Sequence, residues 1–380
     1  MKEIGSKIKI IFLTTGLGTG GAEMMLYKLL RHINRRRFDV LVISLVNGGG
    51  VRKYIEGLGV RVIELGMKRG VPDPHFVVKL VNILKKEKPD ILQTWMYHAN
   101  LIGLIAGKLA KVPKIIWGIR HSNLDKQENK KTTLITVKVC SVLSKFVDKI
   151  VCCSKASFQV HNEVGYKREK MVVIPNGFSI EAFFADKLAR NKIRNELKVS
   201  SDTPIVGLIG RWDPLKDHLN FIKASNFLVE KHSDVQFLLC GKDITKNNEE
   251  LYRWIKESGL ESHFHLLGMR KDIPNIMSAL DVFALSSSGE AFPNVVGEAM
   301  ACEVPCVVTD VGDAAYIVGN TGKVVPKKNP LALANALSDI LSLPMEERLM
   351  LGKKARERVK SNFEINKVVG QYENLYLSIV

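Results

Sequence analysis

Short apolar runs recur along the 380 residues, with longer and periodically apolar stretches between them. In the first half the runs are KIKIIFLTT, DVLVISLV, VRVIEL, DILQTW, KIIWGI, KIVCCS and MVVIPN. In the second half they are PIVGLIG, VQFLLCG, FHLLG, DVFALSS, PCVVTD and GKVVP. Runs this short, rich in Val and Ile and with little polar alternation, predict strands buried on both faces. The intervening stretches predict helices, and strand-helix alternation predicts α/β folding: parallel, doubly wound sheets with helices on both sides.

The length exceeds the roughly 250–300 residues at which a single core stops growing, so two domains are expected. The break is placed after Pro175-Asn176-Gly177, where turn chemistry precedes a polar, charged stretch from Asp186 to Ser201. The expected partition is 1–183 and 184–361, each Rossmann-like, with 362–380 as a final helix able to cross back to the N-terminal domain. In that helix Val368, Val369, Tyr372, Leu375 and Tyr376 recur at helical spacing. Ligands of such sheets bind at the carboxyl ends of the strands, and two such domains facing each other make a cleft.

Composition narrows the class. With 46% apolar and 25% charged residues the chain is globular, neither disordered nor fibrous. No apolar run reaches the ~18 residues of a spanning helix; the longest candidate, Leu101 to Ala110, is broken by Gly103, Gly107 and Lys108. The start, MKEIGSKIKIIFLTTG, is too short in its apolar part for a secretory signal. The expectation is a cytoplasmic protein. Its six cysteines fit a reducing compartment and lack the paired spacing of a zinc site, so no metal is expected.

Charge adds an asymmetry. Residues 1–185 hold 31 basic and 14 acidic side chains, and the remainder holds 25 of each, so the whole net +17 belongs to the first half. That half is expected to meet something anionic. Candidate contacts are Arg31 to Arg37, Lys85 to Lys88, and Lys126 to Lys149. In the last of these Leu134, Ile135, Val137, Val142, Leu143 and Phe146 are interspersed with lysines. An interfacial helix and a core-packing helix with a solvated basic face both fit it. No recognition-helix pattern or aromatic platform points to nucleic acid.

Three stretches carry chemistry. The first is the glycine loop Thr15 to Glu23 between a strand and an apolar helix, with Gly16, Gly18, Gly20 and Gly21. Glycines let backbone approach a ligand, and the helix start offers unpaired amides, which suits a phosphate or a sugar. A dinucleotide site would want an acidic residue at the end of the second strand, where Leu45-Val46-Asn47 stands instead. The second is Gly210-Arg211-Trp212-Asp213-Pro214-Leu215-Lys216, where a buried strand runs into a turn bearing a planar fork and a point charge, a pairing suited to a diphosphate. The third is Ser286 to Ala301, a small-residue loop with Glu290 that opens into a helix near Pro293, with Glu298 inside that helix among Val295, Val296, Ala299 and Met300.

Glu290 and Glu298, with seven residues between them, resemble the paired-glutamate motif of retaining glycosyltransferases of the GT-B fold. Together with the glycine loop, Ile174 to Gly177, Gly210-Arg211 with Lys216, and Gly241, they make the chain similar to glycosyltransferase family 4 over nearly its whole length. The resemblance implies a metal-independent, retaining transferase with no bound cofactor and a nucleoside-diphosphate sugar, a UDP-hexose or UDP-N-acetylhexosamine, as co-substrate. It implies that Arg211 and Lys216 bind the diphosphate and that Glu298 holds the ribose. Glu290 would hold sugar hydroxyls, with the backbone amides of Phe292, Pro293, Asn294 and Val295. It also places the base near Gly268-Met269-Arg270, and His121, with His98 as a second candidate, near the reacting sugar. Gly18, Gly20, Gly21 and Gly241 complete the expected ligand contacts. The implied acceptor is a glycan or a polyprenyl-diphosphate-linked saccharide at the inner face of an anionic membrane. Two other readings remain open: a UDP-sugar 2-epimerase of the same fold, and a non-enzymatic polyanion binder.

Overall fold

The computed structural model describes residues 7–68, 74–126 and 129–380. Residues 1–6 of the chain start, and Gln127 and Glu128 within the Lys126 to Lys149 stretch, lie outside the described residues. The chain forms two compact units, residues 1–177 with 365–380, and residues 178–364.

All seven apolar runs of the first half are strands: β1 (Ile8–Thr14), β2 (Phe38–Ser44), β3 (Val62–Glu64), β4 (Ile91–Trp95), β5 (Lys114–Ile119), β6 (Lys149–Cys152) and β7 (Met171–Val173). They form one parallel sheet in the order β3-β2-β1-β4-β5-β6-β7. The helices between them are α1 (Gly21–His32), α2 (Gly50–Glu56), α3 (Pro74–Glu87), α4 (Tyr97–Leu109), α5 (Lys131–Leu143) and α6 (Lys155–Val164). Register explains the two layers. Ile10 lies beside Val40 and Ile91, and because side chains alternate along a strand, Ile10, Phe12, Val40 and Val42 pack with α1 and α2. Ile11, Leu13, Leu41 and Ile43 pack on the other face with α3 and α4. On that same side Ile115, Trp117 and Ile119 of β5 meet Leu104 of α4 and Val137 and Cys140 of α5.

The second unit repeats the plan with β8 (Ile205–Ile209), β9 (Gln236–Cys240), β10 (Phe264–Leu266), β11 (Val282–Leu285), β12 (Cys306–Thr309) and β13 (Gly322–Val325), in the order β10-β9-β8-β11-β12-β13. Its helices are α7 (Lys187–Leu197), α8 (His218–Val229), α9 (Glu249–Glu257), α10 (Ile273–Ala279), α11 (Asn294–Ala301), α12 (Ala314–Val318), α13 (Pro330–Leu341) and α14 (Met345–Asn362). A last helix, α15 (Ile365–Ile379), belongs to the first unit. In each sheet the strand order reverses once, between β1 and β4 and between β8 and β11, and such a switch point opens a crevice at the strands' carboxyl ends. The glycine loop follows β1; the Arg211–Lys216 turn follows β8; the Glu290 loop follows β11.

The structure departs from the sequence expectations at three places. The polar stretch after the first half is not a plain linker, because it contains α7, capped by Asp186 accepting from the amides of Leu188 and Ala189. Its Arg194 is 2% exposed and pairs with Asp281 at 2.6 Å while donating to the carbonyls of Ser200, Ser201 and Thr203. A buried ion pair thus anchors a helix whose composition looks like that of a solvated linker. The unit boundary lies after Gly177 instead of residue 183, where the amide of Phe178 bonds to the carbonyl of Phe363 at 2.8 Å. The final helix starts at Ile365 instead of residue 362, because α14 runs on to Asn362. That final helix packs against the first unit's core. Tyr376 sets its ring edge-on to Phe12 and Phe38, and Tyr372 lies against Trp95.

All six cysteines are buried, and none is in a disulfide. Burial pushes the Cys140 and Cys302 thiols up to about 12, so at neutral pH they behave as small apolar side chains. Among the described residues no helix is long and apolar enough to cross a membrane, and no cluster of metal-ligating side chains is present.

Candidate functional site

In the second unit the carboxyl ends of β8, β9 and β10 are stitched together through glycines. Gly210 N donates to Cys240 O and Gly241 N donates to Gly268 O, each at 2.9 Å. A Cβ on Gly241 would lie 2.0 Å from Gly210 O, so only glycine lets these two backbones touch. Lys216 folds back so that its Cδ and Cε would lie 3.4 Å from a Cβ on Gly210. This lays the alkyl stem along the end of β8 and aims the ammonium at the next loop.

There Lys216 Nζ donates to Glu290 Oε1 at 2.6 Å, and Ser287 Oγ donates to the same oxygen at 2.9 Å. The two loops are also tied directly: Ser286 Oγ donates to Lys216 O at 2.8 Å and Ser288 N to Leu215 O at 2.8 Å. A third loop supports them from β12, since Asp313 N donates to Ala291 O, and a Cβ on Gly312, at φ 54°, would clash with the carbonyls of Glu290 and Ala291. The glutamate is thus held in place by parts of three connections.

Arg211 is more exposed, and its Nε and Nη2 both donate to Asp213 Oδ2, at 2.9 and 2.6 Å. Burial works to raise the Asp213 carboxyl, but the Arg211 hydrogen bonds and the Leu215 amide outweigh it, and the group sits below its ordinary value. A carboxylate therefore engages each of the two cations. Next along the chain His218 is buried, and burial first, then Lys216, push it down to about 4, so it is neutral at pH 7.

The helix α11 begins directly after the Glu290 loop, with Pro293 at its N-cap. Asn294 and Val295 are half-buried in its first turn, where amides lack intrahelical acceptors. Here the sequence expectation needs a correction: Pro293 carries no N–H, so of the four residues expected to donate amides only Phe292, Asn294 and Val295 can. The Phe292 ring is buried, stacked on Phe178 and edge-on to Phe363, so this residue offers its backbone instead of its ring. Glu298 stands one turn further on, half-buried. Met269 is exposed, and the Arg270 side chain is taken up by Asp272 and Glu196, whose hydrogen bonds hold its guanidinium well above the usual range. The Gly268–Arg270 segment consequently offers backbone more than side chain.

The structure brings Arg211, Lys216, Gly241, Glu290, the start of α11 and Gly268–Arg270 into one unit, and it assigns Gly18, Gly20, Gly21 and His121 to the other. There a Cβ on Gly20 would meet Glu23 Oε2 at 2.6 Å: the carboxylate of α1's first turn lies over the glycine loop. The favourable negative charge at this helix start is already supplied by the chain. The loop is braced by Gly49, whose Cβ would lie 2.0 Å from Leu17 O, and by Trp95, whose indole donates to Ala22 O at 2.9 Å. Over Trp95 stacks Arg120, its Cζ 3.6 Å from the ring centre. Arg120 donates to Asn176 Oδ1 and to the Tyr372 hydroxyl, which ties the end of β5 to the end of the first domain's chain and to α15. His121 follows it, half-buried, its carbonyl accepting from Ser157 Oγ. His98 is exposed on α4.

Several contributors carry no motif in the sequence. Ser287, Asp213 and Gly312 act through a geometry that spacing does not encode. Met96 adopts φ 77° and ψ 159°, a region that residues with a Cβ rarely occupy, at the carboxyl end of β4. Its amide bonds to Gly118 O, and this bond holds the turn into α4.

Comparisons with known proteins agree with this layout. Residues 19–182 match the family model for Glycosyltransferase Family 4, and residues 189–358 match the model for Glycosyl transferases group 1. The chain is 26% identical, over 100% of its length and 99% of the relative's, to the UDP-Gal:alpha-D-GlcNAc-diphosphoundecaprenol alpha-1,3-galactosyltransferase of Escherichia coli. It is 26% identical, over 96% of its length and 98% of the relative's, to the N,N'-diacetylbacillosaminyl-diphospho-undecaprenol alpha-1,3-N-acetylgalactosaminyltransferase of Campylobacter jejuni. Among solved structures, Anabaena HepE in complex with UDP-glucose superposes with a TM-score of 0.85 at 25% identity, covering 98% of this chain and 100% of that one.

Proposed function

On the premise that the chain belongs to the GT-B glycosyltransferases, with a family 4 first domain and a group 1 second domain, we propose that it is a retaining enzyme. In this reading it moves a hexose or N-acetylhexosamine from a UDP-sugar to a polyprenyl-diphosphate-linked glycan and forms an α-linkage. The observation that carries the donor half is the Lys216–Glu290 contact, fixed by Ser287 beside Arg211 and the start of α11. Arg211 and Lys216 bind the donor diphosphate. As the bond from the anomeric carbon to the phosphate oxygen breaks, negative charge grows on the leaving diphosphate, and these cations stabilise it. The acceptor hydroxyl forms the new bond to that carbon on the same face, and its proton passes to the departing phosphate oxygen. Glu290 and the amides of Asn294 and Val295 orient the sugar hydroxyls, Glu298 holds the ribose, and backbone at Gly268–Arg270 meets the base.

UDP is supported by the names of the galactosyltransferase relative and of the HepE complex. The diphosphoundecaprenol in both relatives' names, and a first half that carries the entire net positive charge, support a lipid-linked acceptor on an anionic membrane surface. The first domain takes this acceptor, with His121 the candidate for contact near the reacting sugar. The test is transfer from a panel of UDP- and GDP-sugars to a polyprenyl-diphosphate-linked saccharide, with the product's anomeric configuration read by NMR. An α-linked product from a UDP-sugar is expected. A β-linked product overturns retention, a GDP requirement overturns the donor, and epimerised sugar nucleotide formed without acceptor overturns transfer itself.

A further inference from the structure

The second unit has a cavity of about 260 Å³ that the donor reading leaves unused. It opens between the turn after β8, the start of α8 and the first half of α9, and its walls include Trp212, Asp213, Asp217, His218, Glu250 and Trp254. The helices α8 and α9 share one core layer with α13, whereas α11, on which the donor reading depends, packs with α10, α12 and α14. The cavity and the start of α11 therefore belong to different faces of the sheet.

The fold holds these walls in place. Trp212 N donates to Lys242 O at 2.8 Å, and its indole lies 5.3 Å from Trp254 and 5.0 Å from the His218 ring, centre to centre. Asp213 Oδ1 accepts from Leu215 N at 3.0 Å, and Asp217, the N-cap of α8, accepts from Asn220 N at 3.2 Å, so each carboxylate is oriented by its own turn. Glu250 stands exposed at the rim, in the first turn of α9. His218 is only 2% exposed, yet its Nε2 has no hydrogen-bond partner among the described residues. A buried polar atom left unmatched is costly, so this nitrogen calls for a partner from outside the chain.

We propose that this cavity is a second carbohydrate site, separate from the donor loops, which holds one sugar ring against Trp212 and Trp254 with its hydroxyls toward His218, Asp217 and Glu250. The site goes beyond the transfer reading and does not depend on it. Its volume falls just below the roughly 300–1,000 Å³ of small-molecule pockets, which limits the occupant to about one sugar residue. The indoles offer broad apolar surface to the C–H face of such a ring. Carboxylates accept hydrogen bonds, and a neutral imidazole nitrogen donates or accepts according to its tautomer; a hydroxyl matches every one of them. An anion would meet three carboxylates. A cation would find its place already taken, because Arg211 holds Asp213, and Lys328 and Lys223 lie near enough to Asp217 to act on it. The sugar is either free or one residue of a glycan chain, and the same chemistry serves both.

The experiment is a saturation-transfer NMR titration of the full chain, with UDP at saturation. The probes are the methyl α-glycosides of glucose, galactose and N-acetylglucosamine, a trisaccharide of each sugar, and spermidine as a cation. At least one glycoside is expected to bind, and more tightly than spermidine. His218→Phe keeps the ring and removes the nitrogen. It should weaken that binding about 5-fold, the scale of one neutral hydrogen bond, while the thermal unfolding midpoint stays level or rises because an unmatched buried atom is gone. Trp254→Ala should weaken it about 10-fold or more. Glu250→Ala, at an exposed position that leaves the fold intact, should weaken it about 3-fold. UDP affinity should be unchanged in all three. Tighter binding of a trisaccharide than of its glycoside would assign the site to a glycan chain, and equal binding to a free sugar; both support the proposal. Sugar binding that persists in these variants but is lost in Glu290→Gln belongs to the donor loops and overturns it. So does spermidine binding more tightly than every glycoside, and so does the failure of every sugar to bind.

Discussion

Lys216 and Glu290 lie 74 positions apart in the chain and 2.6 Å apart in the fold, and the residues that hold them there are mostly small. Replacing Lys216 with Met keeps the stem and removes the charge. Calorimetric titration of UDP should then show affinity reduced at least about 10-fold, the scale of one charge-assisted contact; unchanged affinity would remove Lys216 from the diphosphate site. Gly241→Ala should be harsher than its one methyl suggests, because its Cβ falls on Gly210 O and both partners are backbone. Stability should drop by about 2 kcal/mol or more in urea unfolding, with UDP binding lost alongside. Arg211, Lys216 and Glu290 stand out in the sequence as charges in small-residue loops after strands, and Glu298 as a charge in an otherwise apolar helix, a pattern that suits a ligand. Ser287 and Asp213 were not, since a serine or aspartate in a turn has many uses and only the approach of another loop selects one.

Elements were legible to different degrees. All thirteen strands could be read because a strand inside a parallel sheet is covered on both faces and demands an apolar run, and even the partly buried edge strands β3, β7, β10 and β13 keep a short one. The helix α7 was hidden because a buried Arg194–Asp281 pair replaces the apolar stripe that would have revealed it. The final helix was visible from its spacing, but its destination was not, because an apolar face does not name the surface it covers. Its Tyr372 and Tyr376 are fully buried in the core that contains Phe12, Phe38 and Trp95. Removing residues 365–380 should therefore expose that core and leave the first unit without fixed packing, seen as lost near-ultraviolet dichroism and binding of a hydrophobic dye. A truncated chain with native near-ultraviolet dichroism would contradict this. Tyr372→Phe is milder. It leaves an Arg120 N–H without its acceptor and should cost about 1–3 kcal/mol.

At the scale of the whole molecule each unit carries one buried neutral histidine. His161 donates from Nδ1 to Ser157 O, which leaves Nε2 to accept from the Tyr97 hydroxyl at 2.7 Å, and burial pushes it down to about 4, as it does His218 in the second unit. As pH falls from about 6.5 toward 4 the unfolded chain binds protons that the native chain refuses, so stability is lost in that window, about 2 kcal/mol from each histidine by pH 5. Urea titrations at pH 7 and pH 5 check this, and equal stabilities would refute it. Two cores also predict two calorimetric transitions, of which UDP at about 100 times its dissociation constant should raise only the one belonging to residues 178–364, by about 2.7 kcal/mol. The sequence by itself determined the class of fold, the charged side chains of the β8 and β11 loops and the uneven charge, because buried strands, loop charges and net charge are properties of local composition. Tertiary structure alone decided that Glu290 meets Lys216, that the last helix closes the first core, and that Ile135 and Val142 of α5 face outward. Each of these depends on which surfaces are brought together, and an amphipathic pattern says that a face will be covered without saying by what.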